Sequence, residues 1–168
     1  MQERVLPAIL VHGFLDAGEI WGPVIEIVGQ EAADWSTPDL AGMGSRWQDA
    51  GPFTLRRMAE ELGAYIDRIG SPVILVGHSM GSQLVELAAR CRPGLVRGLL
   101  LLSPIPLAGM RLPPEMSNAL SDVGGDLAAQ RETRLRFMGQ PVDLAVLERL
   151  VAIGSKVRRE ATRAIVTA

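Results

Sequence analysis

The chain has 168 residues, 48% of them hydrophobic, and a formal net charge of −2. That length can bury one real core, and the charge gives no electrostatic case for binding nucleic acid or a membrane surface. A single cysteine, Cys91, rules out an intramolecular disulfide, and no apolar run approaches the length of a membrane span.

In chain order, short apolar runs alternate with amphipathic segments. This βαβ rhythm implies a mostly parallel sheet with right-handed crossovers. Strands are expected at about 6–12, 33–37, 72–77 and 96–102. Between the first two, Trp21, Val24, Ile25 and Val28 recur at helical spacing, with Pro23 suited to a first turn. Thr54 is a plausible N-cap for a helix whose stripe is Leu55, Met58, Ala59, Leu62, Ile66 and Ile69. Its charged residues, Arg56, Arg57, Glu60, Glu61, Asp67 and Arg68, face outward, and Gly70 and Pro72 stop it. A third helix carries Leu84, Leu87, Ala88 and Cys91 on its apolar side. These stripes read as core, Cys91 included.

After residue 104 the rhythm changes. Ile105 to Pro114 is a proline-bearing crossing, and the rest reads as helical. Val146, Leu147, Leu150 and Val151 form one stripe; Val157, Ala161, Ala164, Ile165 and Ala168 form another. The second runs to Ala168 without a stop signal. Lys156, Arg158, Arg159 and Arg163 look basic, but Glu160 interrupts them, and a solvated helix face is the expectation.

The most informative segment is Val73-Ile74-Leu75-Val76-Gly77-His78-Ser79-Met80-Gly81. An apolar run meets Gly-x-Ser-x-Gly, and a helical pattern follows at once. In that strand–turn–helix context the motif marks a serine nucleophile on a strained turn, Ser79. By itself the motif could equally be a glycine-bearing turn. A second buried run, Pro7 to Val11, ends in His12-Gly13-Phe14. A third segment, Pro38-Asp39-Leu40-Ala41-Gly42-Met43-Gly44-Ser45, follows the second expected strand.

Together these three segments resemble the α/β-hydrolase family over about residues 5–104, in the family's own order. The resemblance implies an open, mostly parallel sheet flanked by helices, with an all-helical cap lying over the active site. It gives residues 1–104 as the N-terminal part of the core and 105–168 as the cap. It implies that Ser79 is the catalytic residue and that the backbone N–H groups of Phe14 and Met80 contact the substrate as the oxyanion hole. Leu107, Met110, Leu112, Met116 and Phe137 become candidates to line an apolar pocket; packing between cap helices is the alternative for each.

The same resemblance exposes a gap. Family members place an acid and then a histidine after the serine, and a serine hydroxyl needs such a base near neutral pH. Here the two histidines are His12 and His78, and neither follows Ser79. His78 is expected to point away from Ser79 and pack under the loop, and His12 to prop the oxyanion turn. The strand ending at Ser103-Pro104 supplies no carboxylate either. The expected whole is an α/β-hydrolase fold lacking its last strands, with the cap incomplete.

Function is therefore expected to be that of a serine hydrolase, forming an acyl-enzyme from an ester or related carbonyl substrate with an apolar portion. The alternative is a non-catalytic binding module or an inactive fragment. Serine at position 79 disfavours the family's epoxide hydrolases and dehalogenases, which attack with Asp. No cofactor or metal is expected. An unpaired strand at 96–102 suggests self-association or a missing C-terminal half. The N-terminal run is too short, and too broken by Pro7, for a signal peptide, so a cytoplasmic location is the default. One lysine against sixteen arginines hints at a bacterial gene.

Overall fold

In a computed structural model, which describes residues 5–167, four strands form one parallel sheet in the order β2-β1-β3-β4. They are β1 (Pro7–Val11), β2 (Asp34–Ser36), β3 (Val73–His78) and β4 (Val96–Leu102). Positions match the expectation; the ends shift by a residue or two. The register sets Val11 beside Gly77 and His78 beside Leu102, so β1 and β3 deliver their terminal turns to the same edge.

Helix α1 (Gly22–Val28) covers one face, and α2 (Leu55–Ile69) and α3 (Met80–Cys91) cover the other. Alternation along the strands divides the core accordingly. Ala8, Leu10 and Val76 cluster with Trp21 and Ile25, whereas Ile9, Val11 and Leu75 pack with Met58, Leu62 and Ile66 of α2 and Leu84 and Val85 of α3. Both ends of α2 follow from sequence. Thr54 Oγ1 accepts the Arg57 N–H at 3.2 Å, and Gly70 takes the left-handed conformation that closes the helix. Its outer face pairs Arg56 with Glu60 and Arg57 with Glu61 at i, i+4 spacing, contacts worth about 0.3–0.5 kcal/mol each.

Three apolar stripes are narrower than periodicity suggested. In α1, Ile25 is buried while Val24 and Val28 are exposed, because one helix meets the sheet along a single line. In α3 the buried residues include Leu84, Val85 and Ala88, while Cys91 is exposed. Cys91 ends the helix one turn beyond Leu87, which is itself half-buried, so the last turn has outrun its cover. Beyond β4 come α4 (Pro114–Asp122), α5 (Leu127–Met138), α6 (Leu144–Ser155) and α7 (Arg159–Val166). In α6, Leu147 and Val151 are buried but Val146 is exposed.

The tail is joined to the sheet layers by main chain. Gly44 N–H donates to the Lys156 carbonyl at 2.9 Å and Arg158 N–H to the Gly42 carbonyl at 2.8 Å. Val157 and Ala161, both buried, share the larger core cluster with α2 and α3. Two of the four basic residues there are paired, Arg158 with Glu160 and Arg163 with Asp122. Helix α7 closes at Val166, where Thr167 Oγ1 bonds the Arg163 carbonyl; Ala168, placed in its stripe by sequence, lies outside the described residues.

One flank stays open. β4 is outermost, and α1 leaves its side of β4 and the start of β3 bare. Leu100 is 52% exposed and Leu102 37%, and across the register Ile74 is 36% exposed. A bare apolar edge is a template for pairing with another chain. We expect association visible by light scattering at about 10 µM or above, reduced by Leu100→Lys. A monodisperse monomer with cooperative thermal unfolding would contradict this.

Candidate active site

The site is built on a backbone crossing. Between β3 and α3 the chain reverses at Ser79, whose φ of 52° and ψ of −121° lie outside the regions an ordinary side chain prefers. Such a conformation costs about 1–3 kcal/mol and persists only where its surroundings enforce it. Ser79 N–H donates to the Leu102 carbonyl at 2.9 Å, and the Ser79 carbonyl accepts the Ser82 N–H at 2.9 Å and hydroxyl at 2.6 Å. The two flanking glycines leave no alternative. A Cβ on Gly81 would sit 2.4 Å from the Val11 carbonyl oxygen, and one on Gly77 would sit 2.6 Å from that of Gly81.

The turn after β1 lies against this one. A Cβ on Gly13 would fall 3.1 Å from Ser79 Cβ, so the Gly13–Phe14 peptide runs past the serine side chain. Phe14, Ser79 and Met80 line one cavity of about 760 Å³. Among the described residues neither the Phe14 nor the Met80 N–H donates to another protein group. All three sequence-derived site residues therefore converge. Of the proposed pocket residues, Met110, Leu112, Met116 and Phe137 line the cavity. Leu107 does not: it is half exposed, carried outward by the turn in which Gly109 N–H bonds the Pro106 carbonyl.

His12 has no free nitrogen to offer Ser79. His12 is fully buried; its Nε2 accepts the Leu40 N–H at 3.1 Å, and its Nδ1 bonds the Gly13 carbonyl at 2.9 Å. That pair of partners assigns the proton to Nδ1 and occupies both nitrogens. Burial holds the His12 pKa below its ordinary value, against the Gly13 bond and the charges of Asp16 and Asp39. His78 is not tucked under the loop. Its half-exposed ring forms part of the cavity wall, edge-on to Trp21 at 6.4 Å between centroids, with Nδ1 3.9 Å from Asp16 Oδ2. Trp21 reaches His78 from the turn that precedes α1.

Two carboxylates tie the loops together, and sequence reading had passed over their roles. Asp39 accepts the Gly18 N–H at 2.6 Å and the Ser45 N–H and hydroxyl at 2.7 and 2.6 Å. Burial alone would raise its pKa, but these donors prevail and hold it below the ordinary value. Asp16 is buried and meets Arg134 of α5. No local signal marked Arg134: α5 buries Gln130 and Arg134, four residues apart, instead of an apolar stripe. Among the described residues no cluster of three His, Cys, Asp or Glu could hold a metal ion.

The neutral, buried His12 sets a pH dependence. Below its ordinary pKa of 6.5 the unfolded chain binds a proton here that the folded chain refuses, so stability is complete above that pH and falls as pH drops below it. Thermal melting from pH 8 to about pH 5 should show this slope in the wild type. It should be shallower in His12→Gln, which is less stable at pH 8. An equal slope in both would assign the effect elsewhere.

Comparison with known proteins agrees with the geometry. The model of the alpha/beta hydrolase family matches residues 8–166. The lipase LipV of Mycobacterium tuberculosis is 35% identical over 107 residues, 62% of this chain and 40% of that protein. Human monoglyceride lipase is 50% identical over 42 residues, 25% of this chain and 14% of that one. Among solved structures, an N-acyl homoserine lactonase, AidH, superposes with a TM-score of 0.75 at 20% identity, covering 98% of this chain and 61% of its own. An esterase from Exiguobacterium antarcticum gives 0.75 at 16% identity, covering 97% and 65%. This chain thus spans less than two thirds of the length of these relatives. A family match over nearly all described residues, on a sheet and serine turn of this geometry, makes the chain a member of the alpha/beta hydrolase family.

Proposed function

We propose that this chain carries the nucleophile and oxyanion hole of a serine hydrolase acting on a small ester, or a related carbonyl compound, with an apolar portion. The observation that carries the reading is the convergence of Ser79, in its strained turn, with two unengaged N–H groups on one cavity. Ser79 Oγ forms a bond to the substrate carbonyl carbon, and the carbonyl π pair moves onto oxygen. The Phe14 and Met80 N–H groups stabilise that oxyanion. Such donors are worth about 3 kcal/mol each, because they are aimed before the charge appears. Collapse breaks the bond to the alcohol, which leaves with the proton taken from Ser79. Water then attacks the acyl carbon, releases the acid and restores the hydroxyl.

The proton needs a carrier, and we infer that it acts from outside this sequence. His12 has both nitrogens engaged, no histidine follows Ser79, and the relatives' chains extend well beyond the matched region. The cavity supports an apolar acyl or alcohol group: four methionines, Met80, Met110, Met116 and Met138, line it with Phe137. Methionine adapts to differently shaped apolar guests, which fits relatives named as lipase, esterase and lactonase. The engagement of both His12 nitrogens also favours a second reading, a module that binds such compounds without turnover.

Triad members act as a unit, so the chain alone should hydrolyse p-nitrophenyl acetate slowly. Oxyanion and binding effects alone leave about 10³–10⁴-fold over water, and Ser79→Ala should fall to that floor, the difference being the serine's own share. Slow labelling of Ser79 by a fluorophosphonate would favour the hydrolase reading. No labelling, with retained binding of the ester, would favour the binding module. Turnover at ordinary enzyme rates would show a base within the chain.

A further inference from the structure

Helix α5 reaches out of the cap through one side chain. Gln130 stays inside it, its Nε2 donating to the Val123 and Gly154 carbonyls at 3.2 and 3.0 Å. Arg134 crosses to the turn after β1 instead. Its Nη1 donates to Asp16 Oδ1 at 2.7 Å and its Nη2 to the Leu15 carbonyl at 2.5 Å. The guanidinium is 10% exposed and the carboxylate 4%. Arg134 Nε–H is buried without a partner among the described residues, so the loop receives the side chain's hydrogen bonds.

The two residues gripped are those immediately after Phe14. Leu15 has a φ of 66°, a left-handed conformation that a leucine keeps only when its surroundings impose it. The far end of the same loop is held by Asp39 through the Gly18 N–H and by Arg149 of α6, whose Nη2 donates to the Glu19 carbonyl at 2.9 Å. Asp16 Oδ2 meanwhile faces His78, the neighbour of Ser79. A tie that merely glued cap to sheet could be apolar, since burying an ion pair is costly. A planar guanidinium adds direction: it holds two acceptors in one fixed geometry.

We propose that Arg134 is a positioning residue for the oxyanion hole. From the cap it fixes the Leu15 carbonyl and the Asp16 carboxylate so that the Phe14 N–H faces the cavity, and seating of the cap thereby completes the site. The proposal rests on the reading of Ser79, Phe14 and Met80 given above. It makes the cap part of the catalytic geometry as well as a cover for the substrate.

The test measures kcat and KM separately for the Ser79-dependent hydrolysis of p-nitrophenyl acetate, with amide hydrogen exchange at residues 14–16. Arg134→Met should lower kcat about tenfold or more, since losing a whole oxyanion donor costs about 10²–10³, and should leave KM within about twofold. Exchange at 14–16 should quicken while β3 keeps its protection. Arg134→Lys should recover part of the rate, because one ammonium cannot hold both acceptors in plane. If Arg134→Met does not fold, the double variant Asp16→Asn/Arg134→Met removes the stranded charge and should show the same loss in kcat. Unchanged kcat in a folded Arg134→Met or double variant, or a change confined to KM, would overturn the proposal while leaving the serine reading intact. Turnover undiminished in Ser79→Ala would overturn the serine reading and this proposal with it.

Discussion

The structure depends on one close approach of backbones. At the carboxyl edge of the sheet the start of α3 passes the end of β1 so tightly that a Cβ on Gly81 would lie 2.4 Å from the Val11 carbonyl oxygen and 2.6 Å from that of His12. That crossing forces the reversal at Ser79 and brings the Gly13 turn against it. Parallel pairing of β1 with β3 in the observed register is what aligns the two turns. Without it, the serine would cap an ordinary helix and the Phe14 and Met80 N–H groups would not share a cavity. The strain at Ser79 is offset by contacts from three sides: β1, the Leu102 carbonyl at the end of β4, and Ser82 within α3.

Around this crossing, buried polar side chains take the place of secondary structure. The loops after β1 and β2 hold buried polar groups outside any strand ladder, and such groups must find bonds somewhere. His12 supplies them to Leu40 and Gly13, Asp39 to Gly18 and Ser45, and Arg134 to Leu15 and Asp16. The ties of His12 to Leu40, Asp39 to Gly18 and Arg134 to the turn after β1 join segments far apart in sequence, so the loops form one braced assembly. This explains why His12, at the end of the strand beside the serine, is a structural group: a base must exchange its proton, and His12 has no free nitrogen with which to do so.

Much of this was legible in the residues. The strand positions, the serine turn and both ends of α2 follow from local signals: β-branched runs, the glycine pair around His78-Ser79-Met80, Thr54 and Gly70. Burial was less legible. Val24, Val28, Val146 and Cys91 lie at core-like positions by periodicity yet are exposed, because periodicity reports which face a residue shares and not whether another element covers it. Leu107 fails for a related reason, since a turn within the Ile105–Pro114 crossing sets its direction. The Asp16–Arg134 pair was illegible because its partners lie on separate elements, and nothing local distinguishes a paired arginine from a solvated one. His78 was placed on the wrong side of the loop for want of Trp21, which approaches from another segment.

The account centres on Ser79 as a nucleophile whose oxyanion is received by Phe14 and Met80. The most direct measurement is a crystal structure of the chain after prolonged exposure to an alkyl fluorophosphonate. The account predicts a covalent bond from Ser79 Oγ to phosphorus, with the phosphoryl oxygen about 2.7–3.1 Å from both the Phe14 and the Met80 nitrogen and the alkyl group among the cavity methionines. An unmodified Ser79, or an adduct whose oxygen points away from those two nitrogens, would contradict it.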